Sequence, residues 1–175
     1  MSNLVHDDER HERERHAGRQ WPSLLVLVAC LAICFVAAGI GSALTLPQIP
    51  TWYEGLVKPW FNPPNTVFGP VWTILYALMA VAMWRVWMRS SGDVRKRAAG
   101  IFALQLALNV AWSAVFFAAH SPGAGLIVIV ALLAAIIATI FVFTPIDRLA
   151  AWLFAPYLAW VSFASVLNGA VFALN

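Results

Sequence analysis

The 175-residue chain is 62% hydrophobic and only 11% charged, with 9 Trp, 11 Phe and 3 Tyr and a formal net charge of +3. A globular domain is about 45–50% apolar and about a quarter charged, so a soluble fold is excluded for want of polar side chains. Disorder is excluded by the abundance of apolar ones, and the positive balance needs no nucleic acid, because membrane loops carry the same bias.

Charge is crowded at the start: residues 1–20 hold nine of the nineteen Asp, Glu, Lys and Arg residues, while residues 98–146 hold none. The opening MSNLVHDDERHERERHAGRQ reads as a charged, disordered tail. His6, His11 and His16 recur among its acids, and a metal-binding tail is the weaker reading. The apolar run that follows is too long for a signal-peptide core and reads as a retained span.

A helix crossing a hydrocarbon core of about 30 Å needs roughly 20 apolar residues. Five segments satisfy this, at 21–46, 66–88, 98–119, 123–143 and 149–174. Uninterrupted apolar runs such as 126–142 lack the alternation of a transmembrane strand. The predicted fold is an all-α membrane protein, a bundle of five transmembrane helices forming one domain over 21–175. Counting Lys and Arg by side gives ten with the N-terminus and Lys58 alone opposite. That asymmetry predicts the N-terminus inside if the protein sits in a bacterial cytoplasmic membrane, the first expectation; an outer membrane is the alternative.

In the first span Cys30 and Cys34 lie one turn apart. That spacing is poor for a disulfide, and no metal-binding set surrounds them, so they read as small hydrophobes. The strip from Pro47 to Pro64 has five prolines, two Trp, a Tyr and a Phe. Prolines fix φ and stop helices, so the strip has a defined shape. An aromatic belt accounts for one or two such rings, but a braced cluster reads better as a lid over a cavity.

The second span places Trp72, Tyr76, Met79 and Met83 on one face. In the third, Gln105, Asn109, Trp112, Ser113 and Phe116 form one stripe, and Ala99, Ala103, Ala107 and Ala111 run nearly opposite. Amides are costly in hydrocarbon unless paired, so the first stripe should face inward. The alanine stripe suits close helix packing, either within the monomer or across a dimer. The fourth span carries nothing polar but Thr139 and reads as wall or lipid-facing packing. The fifth places Pro156, Trp160, Ala164 and Leu167 together, with a kink expected at Pro156. Three helices bearing Trp beneath an aromatic loop point to a pocket for a planar apolar ligand.

The chain from about residue 21 to 175 resembles the tryptophan-rich sensory protein, or translocator protein (peripheral benzodiazepine receptor), family. The resemblance runs through Pro47, Trp52-Tyr53, Leu56, Lys58-Pro59 and Asn62-Pro63-Pro64. It continues in Phe68-Gly69-Pro70-Val71-Trp72 with Tyr76, then in Gln105, Leu108-Asn109, Trp112-Ser113 and Phe116-Phe117. It closes on Pro156-Tyr157-Leu158, Trp160, Ala164 and Leu167-Asn168. It implies a five-helix membrane protein, a homodimer, and a cavity opening toward the first loop that takes porphyrins and related planar ligands. Carried over by position, Trp52, Tyr53, Pro63, Trp72, Tyr76, Asn109, Trp112, Ser113, Trp160 and Ala164 would form the ligand site. Ala99, Ala103, Ala107 and Ala111 would pack the dimer. The cholesterol motif of animal members needs a basic residue in the last helix, and none follows Arg148. Sterol transport is therefore not expected here.

Enzyme chemistry has little foothold. His120 is the only His after the tail, no carboxylate neighbours it in sequence, and no ionisable group lies mid-span. The expected function is a membrane binding protein for porphyrins and similar planar hydrophobes, acting in sensing, trafficking or stress response. Rivals are light- and oxygen-dependent porphyrin degradation, with Trp72 and Trp160 as the photochemical residues, and a scaffold or lipid-interaction role. No metal site and no required cofactor are expected. Porphyrin or haem enters as ligand, and the bundle offers haem no evident axial histidine.

Overall fold

The computed structural model describes the backbone from Ser2 and side chains for residues 23–175, so the side chains of the expected tail at 1–20 lie outside the described residues. The helices are α1 (Ser2–Thr45), α2 (Asn65–Arg89), α3 (Gly92–Ser113), α4 (Pro122–Phe143), α5 (Arg148–Trp152) and α6 (Ala155–Leu174). Five stretches are long and apolar enough to cross a membrane, and no strand occurs among the described residues. Helices satisfy every backbone group within the segment, which a bilayer interior demands. The protein is an integral, multi-pass, all-α membrane protein.

Helix α1 packs on α2 and α3, α4 on α3 and α6, and α2 on the short α5. The core between them includes Cys34, Met79, Ile136, Phe143, Phe154 and Tyr157, each fully buried. Cys30 and Cys34 are free thiols buried in this core. One stripe of α4 is buried too, from Gly125 through Ile129, Leu132 and Ile136 to Phe143. Thr139 on that stripe donates to the Ala135 carbonyl at 2.8 Å, so its hydroxyl is satisfied without leaving the helix. At Gly125 a Cβ would meet Phe116 at 3.1 Å and Asn168 Oδ1 at 3.2 Å, so the missing side chain lets α4 approach α3 and α6.

Three boundaries differ from those expected of hydropathy, two of them at prolines. Pro47 and Pro50 do not stop the first span. They open a 3-10 turn (Leu46–Gln48) and a π turn (Ile49–Tyr53), at positions where a missing N–H costs nothing. The apolar helical stretch therefore runs on to Tyr53. Pro156 lies in the first turn of α6, and the α-helix is interrupted just before it by a turn at Leu153 and Phe154, which keep right-handed helical angles within one apolar span. Helix α3 begins at Gly92, so Arg95, Lys96 and Arg97 lie on its first turns. Lys and Arg are good helix formers whose stems lie along apolar surface.

Of the α3 alanine stripe, Ala99 is partly buried against the core, whereas Ala103 and Ala107 face away from it. Ala103 and Ala107 are exposed, and with Ala99 they line a groove shared with Cys30, Ile33, Ala37 and Ile40 of α1. Ala111 lies on the same side but outside that groove.

Candidate functional site

A cavity of about 460 Å³ opens between the helices beneath the lid. Its walls are built mostly from rings. Phe68, Trp72 and Tyr76 come from α2, Trp112 from the end of α3, Phe116 and Phe117 from the π turn that follows it (Ala114–Ala118), and Trp160 with Ala164 and Leu167 from α6. Helix α1 supplies Phe35, Ala38, Gly41, Ser42 and Thr45, and the turns after it supply Leu46, Ile49 and Tyr53. No Lys, Arg, His, Asp or Glu is among the described residues lining it.

The rings hold one another in place by tilted and edge-on contacts, the geometry that aromatic quadrupoles favour. Trp72 stands 5.7 Å from Tyr76 and 6.1 Å from Tyr157. Trp160 lies edge-on to Phe68 at 5.7 Å. Trp112 stacks on Phe116 at 5.4 Å, and its Nε1 donates to Asn168 Oδ1 at 3.0 Å. Asn168 Nδ2 in turn donates to the Pro122 carbonyl at 2.7 Å, tying α6 to the start of α4.

Below the floor runs a second polar chain. The Tyr76 hydroxyl donates to Asn109 Oδ1 at 2.6 Å, and Asn109 Nδ2 donates to the Tyr157 hydroxyl at 2.9 Å. These bonds fasten α2, α3 and α6 together where an unpaired amide would be costly. Ser113 faces the cavity beside Gly41, where an added Cβ would come within 3.5 Å of its Oγ. The backbone of α1 thus stays close to the polar floor. Gln105 is fully buried one turn further on, with Nε2 3.8 Å from Met79 Sδ.

The roof is a compact aromatic knot. Tyr53 is buried with Phe116, Phe117, Leu167 and Val171. Its hydroxyl donates to Asn62 Oδ1 at 2.9 Å, which closes the lid on itself across nine residues. Lys58 lies over the Tyr53 ring, 4.9 Å from the centroid, and its Nζ donates to the Glu54 and Leu56 carbonyls. The π turns at Ile49–Tyr53 and Ala114–Ala118 supply both faces of this contact. Such single-turn insertions recur at functional sites.

Of the residues singled out in the sequence, Tyr53, Trp72, Tyr76, Trp112, Ser113, Trp160 and Ala164 line one cavity. Asn109 does not line it, because both its amide atoms are spent on Tyr76 and Tyr157 behind the wall. Trp52 packs on the outer side of the roof against Phe116, and Pro63 follows Asn62 in the lid. Sequence reasoning missed the α1 wall, for which Gly41-Ser42 and Thr45 in an otherwise apolar span were the available signal. It also missed Asn168 as the partner of Trp112.

The TspO/MBR family model matches residues 29–174. The chain is 41% identical over 156 residues to "Tryptophan-rich protein TspO" of Chlorobaculum tepidum, covering 87% of this chain and 97% of that one. It is 42% identical over 154 residues to the Archaeoglobus fulgidus protein of the same name, covering 87% and 99%. Against the human "Translocator protein" the identity is 38% over 144 residues, covering 81% and 83%.

Proposed function

Because the chain belongs to the TspO/MBR family, we propose that its cavity binds a tetrapyrrole or a similar planar, largely apolar molecule. The observation that carries this reading is the cavity itself. Its volume of about 460 Å³ falls within the range of about 300–1,000 Å³ usual for small-molecule sites. Flat rings on three helices offer stacking surfaces, and the polar groups are uncharged hydroxyls and amides, among them those of Ser42, Thr45, Asn65, Thr66, Ser113 and Asn168. A lining without charged side chains would leave a carboxylate inside it unpaired, which is costly. The acidic groups of a porphyrin therefore belong at the mouth, near Lys58, with the macrocycle inward.

Absorbance titration of the detergent-solubilised protein with protoporphyrin and with its dimethyl ester tests this. Saturable binding of both is expected, with the free acid equal to the ester or tighter by the small contribution of an exposed pairing with Lys58. Absence of saturation for both would remove the reading. A strong preference for the ester would mean that the carboxylates sit unpaired inside the uncharged cavity and would contradict the orientation given to the ring.

The charge asymmetry supports a lid on the outer side of the membrane. Arg85, Arg89, Arg95, Lys96, Arg97 and Arg148 gather at the end of the bundle remote from the lid, and Lys58 stands at the lid end. A periplasm-active reporter fused after Asn175 should be on and a cytoplasm-active one off. The opposite pair of results would invert the topology.

A further inference from the structure

One exposed side chain outside the cavity wall ties the lid to the rest of the bundle. His120 stands at the corner between the end of α3 and the start of α4. Its ring stacks on Trp52, with centroids 4.7 Å apart and planes inclined by 15°. Its Nε2 lies 2.8 Å from Gln48 Oε1. An amide oxygen only accepts, so the imidazole carries its proton on Nε2 in this contact. Gln48 and Trp52 are four residues apart, one helical turn, and a single imidazole therefore engages two points on the same face of the segment entering the lid. Trp52 also meets Phe116 edge-on at 5.6 Å, and the next residue, Tyr53, is part of the cavity roof.

The backbone at this corner is unusual. His120 has φ of +52°, the one non-glycine residue with positive φ among the described residues. That conformation is disfavoured for an L side chain and persists where its surroundings fix it, often at switch regions and ligand clamps. The Ser121 amide donates to the Val115 carbonyl at 3.2 Å, six residues back, so the left-handed residue is the cap that ends this helix, and the lid-facing contacts of the imidazole are added to it.

We propose that His120 is the catch of the lid, a positioning residue that holds Gln48 and Trp52, and through them the roof residue Tyr53, over the cavity. Its release sets the rate at which a planar ligand enters and leaves. The ligand half of this inference rests on the cavity being the binding site proposed above; the mechanical half does not.

Two variants of the full chain separate these halves. His120→Gly removes the ring and relieves the backbone, whereas His120→Phe keeps a stacking ring and loses the Gln48 bond. Hydrogen exchange of the amides at 46–56 should quicken several-fold in the glycine variant and by less in the phenylalanine variant. The thermal midpoint of the glycine variant should not fall. In stopped flow with protoporphyrin as probe, association and dissociation should both quicken in the glycine variant, with Kd changing less than either rate. Unchanged exchange over 46–56 overturns the proposal whatever the porphyrin does. Faster lid exchange with unchanged porphyrin rates overturns the gating role. Faster exchange across all helices with a lowered midpoint also overturns it, and reduces His120 to a structural corner. If the unaltered protein binds no protoporphyrin yet the lid exchange quickens as expected, the catch stands and the ligand reading fails.

Discussion

Trp72→Ala is expected to weaken protoporphyrin binding by about tenfold or more, and Trp160→Ala by a similar factor. One aromatic pair contributes about 0.5–1.5 kcal/mol beyond burial, and lost apolar area adds about 25 cal/mol per Å². About 1.4 kcal/mol already makes a tenfold change in Kd. Both rings line the cavity and both are only partly buried, so each has a face to offer a ligand. Trp72→Phe should lose less, because a ring remains between Tyr76 and Tyr157. Trp112 is the less clean test. Its Nε1 bond to Asn168 belongs to the interhelical chain that reaches Pro122, and removing it leaves a buried acceptor without that donor. Trp152 is 73% exposed and lies outside the cavity, which makes Trp152→Ala the control. Titration of the four variants beside the unaltered protein reads the result. Equal losses at Trp152 and Trp72, or no loss at Trp72 and Trp160, would move the binding site elsewhere.

The parts of this site that were legible in the sequence were legible because they are polar or aromatic in an apolar background. Gln105, Asn109 and Ser113 recur at helical spacing on α3, and all three are buried on its inner side. Amides cannot face lipid unpaired, so period and chemistry agree. The same logic placed Asn109 inside but could not say whether it faces a ligand or a neighbour. That depends on Tyr157, 48 residues away. The α1 wall was illegible for a different reason. In a bilayer the lipid-facing and core-facing sides of a helix are both apolar, so Phe35 and Ala38 carry no inside-or-outside signal. Helix limits failed where charge met the membrane edge: hydropathy began the third span at Ala98, after the last basic residue, but the helix carries Arg95, Lys96 and Arg97 within it. His120 read as a bare span end because its partners Gln48 and Trp52 are brought to it only by the fold. Asp147 was likewise an isolated acid after a long uncharged stretch, with its cations 58 and 62 residues earlier.

Asp147→Ala should destabilise the bundle by about 2–3 kcal/mol, read as a lowered thermal midpoint in mild detergent. Its carboxylate does two tasks at the end remote from the lid. It caps α5 by accepting from the Leu149 and Ala150 amides at 3.0 and 3.3 Å, and a lost cap costs about 1 kcal/mol. It also accepts from Arg85 Nε at 2.8 Å and from Arg89, which pins the end of α2 to α5. Breaking a buried pair costs about 3–5 kcal/mol, but the Arg85 side chain is 21% exposed and that of Arg89 50%. Solvent therefore takes up much of the loss, and the ion-pair share is discounted accordingly. Asp147→Asn keeps an acceptor for the cap and gives up the charge, so it should fall between the alanine variant and the unaltered protein. Burial pushes the Asp147 carboxyl upward, but the hydrogen bonds from Arg85 and Ala150 and the charges of Arg85 and Arg89 outweigh it. The net effect holds its pKa below the ordinary carboxylate value. A carboxyl depressed in the folded state adds stability that is fully present above its unfolded pKa of about 3.9 and is lost as pH falls through the folded value. The midpoint difference between the unaltered protein and Asp147→Asn should thus stay constant from neutral pH down to about pH 5 and close below about pH 4. A difference that instead closes between pH 7 and 5 would mean that another titrating group, not the Asp147 ion pair, sets the stability of this end of the bundle.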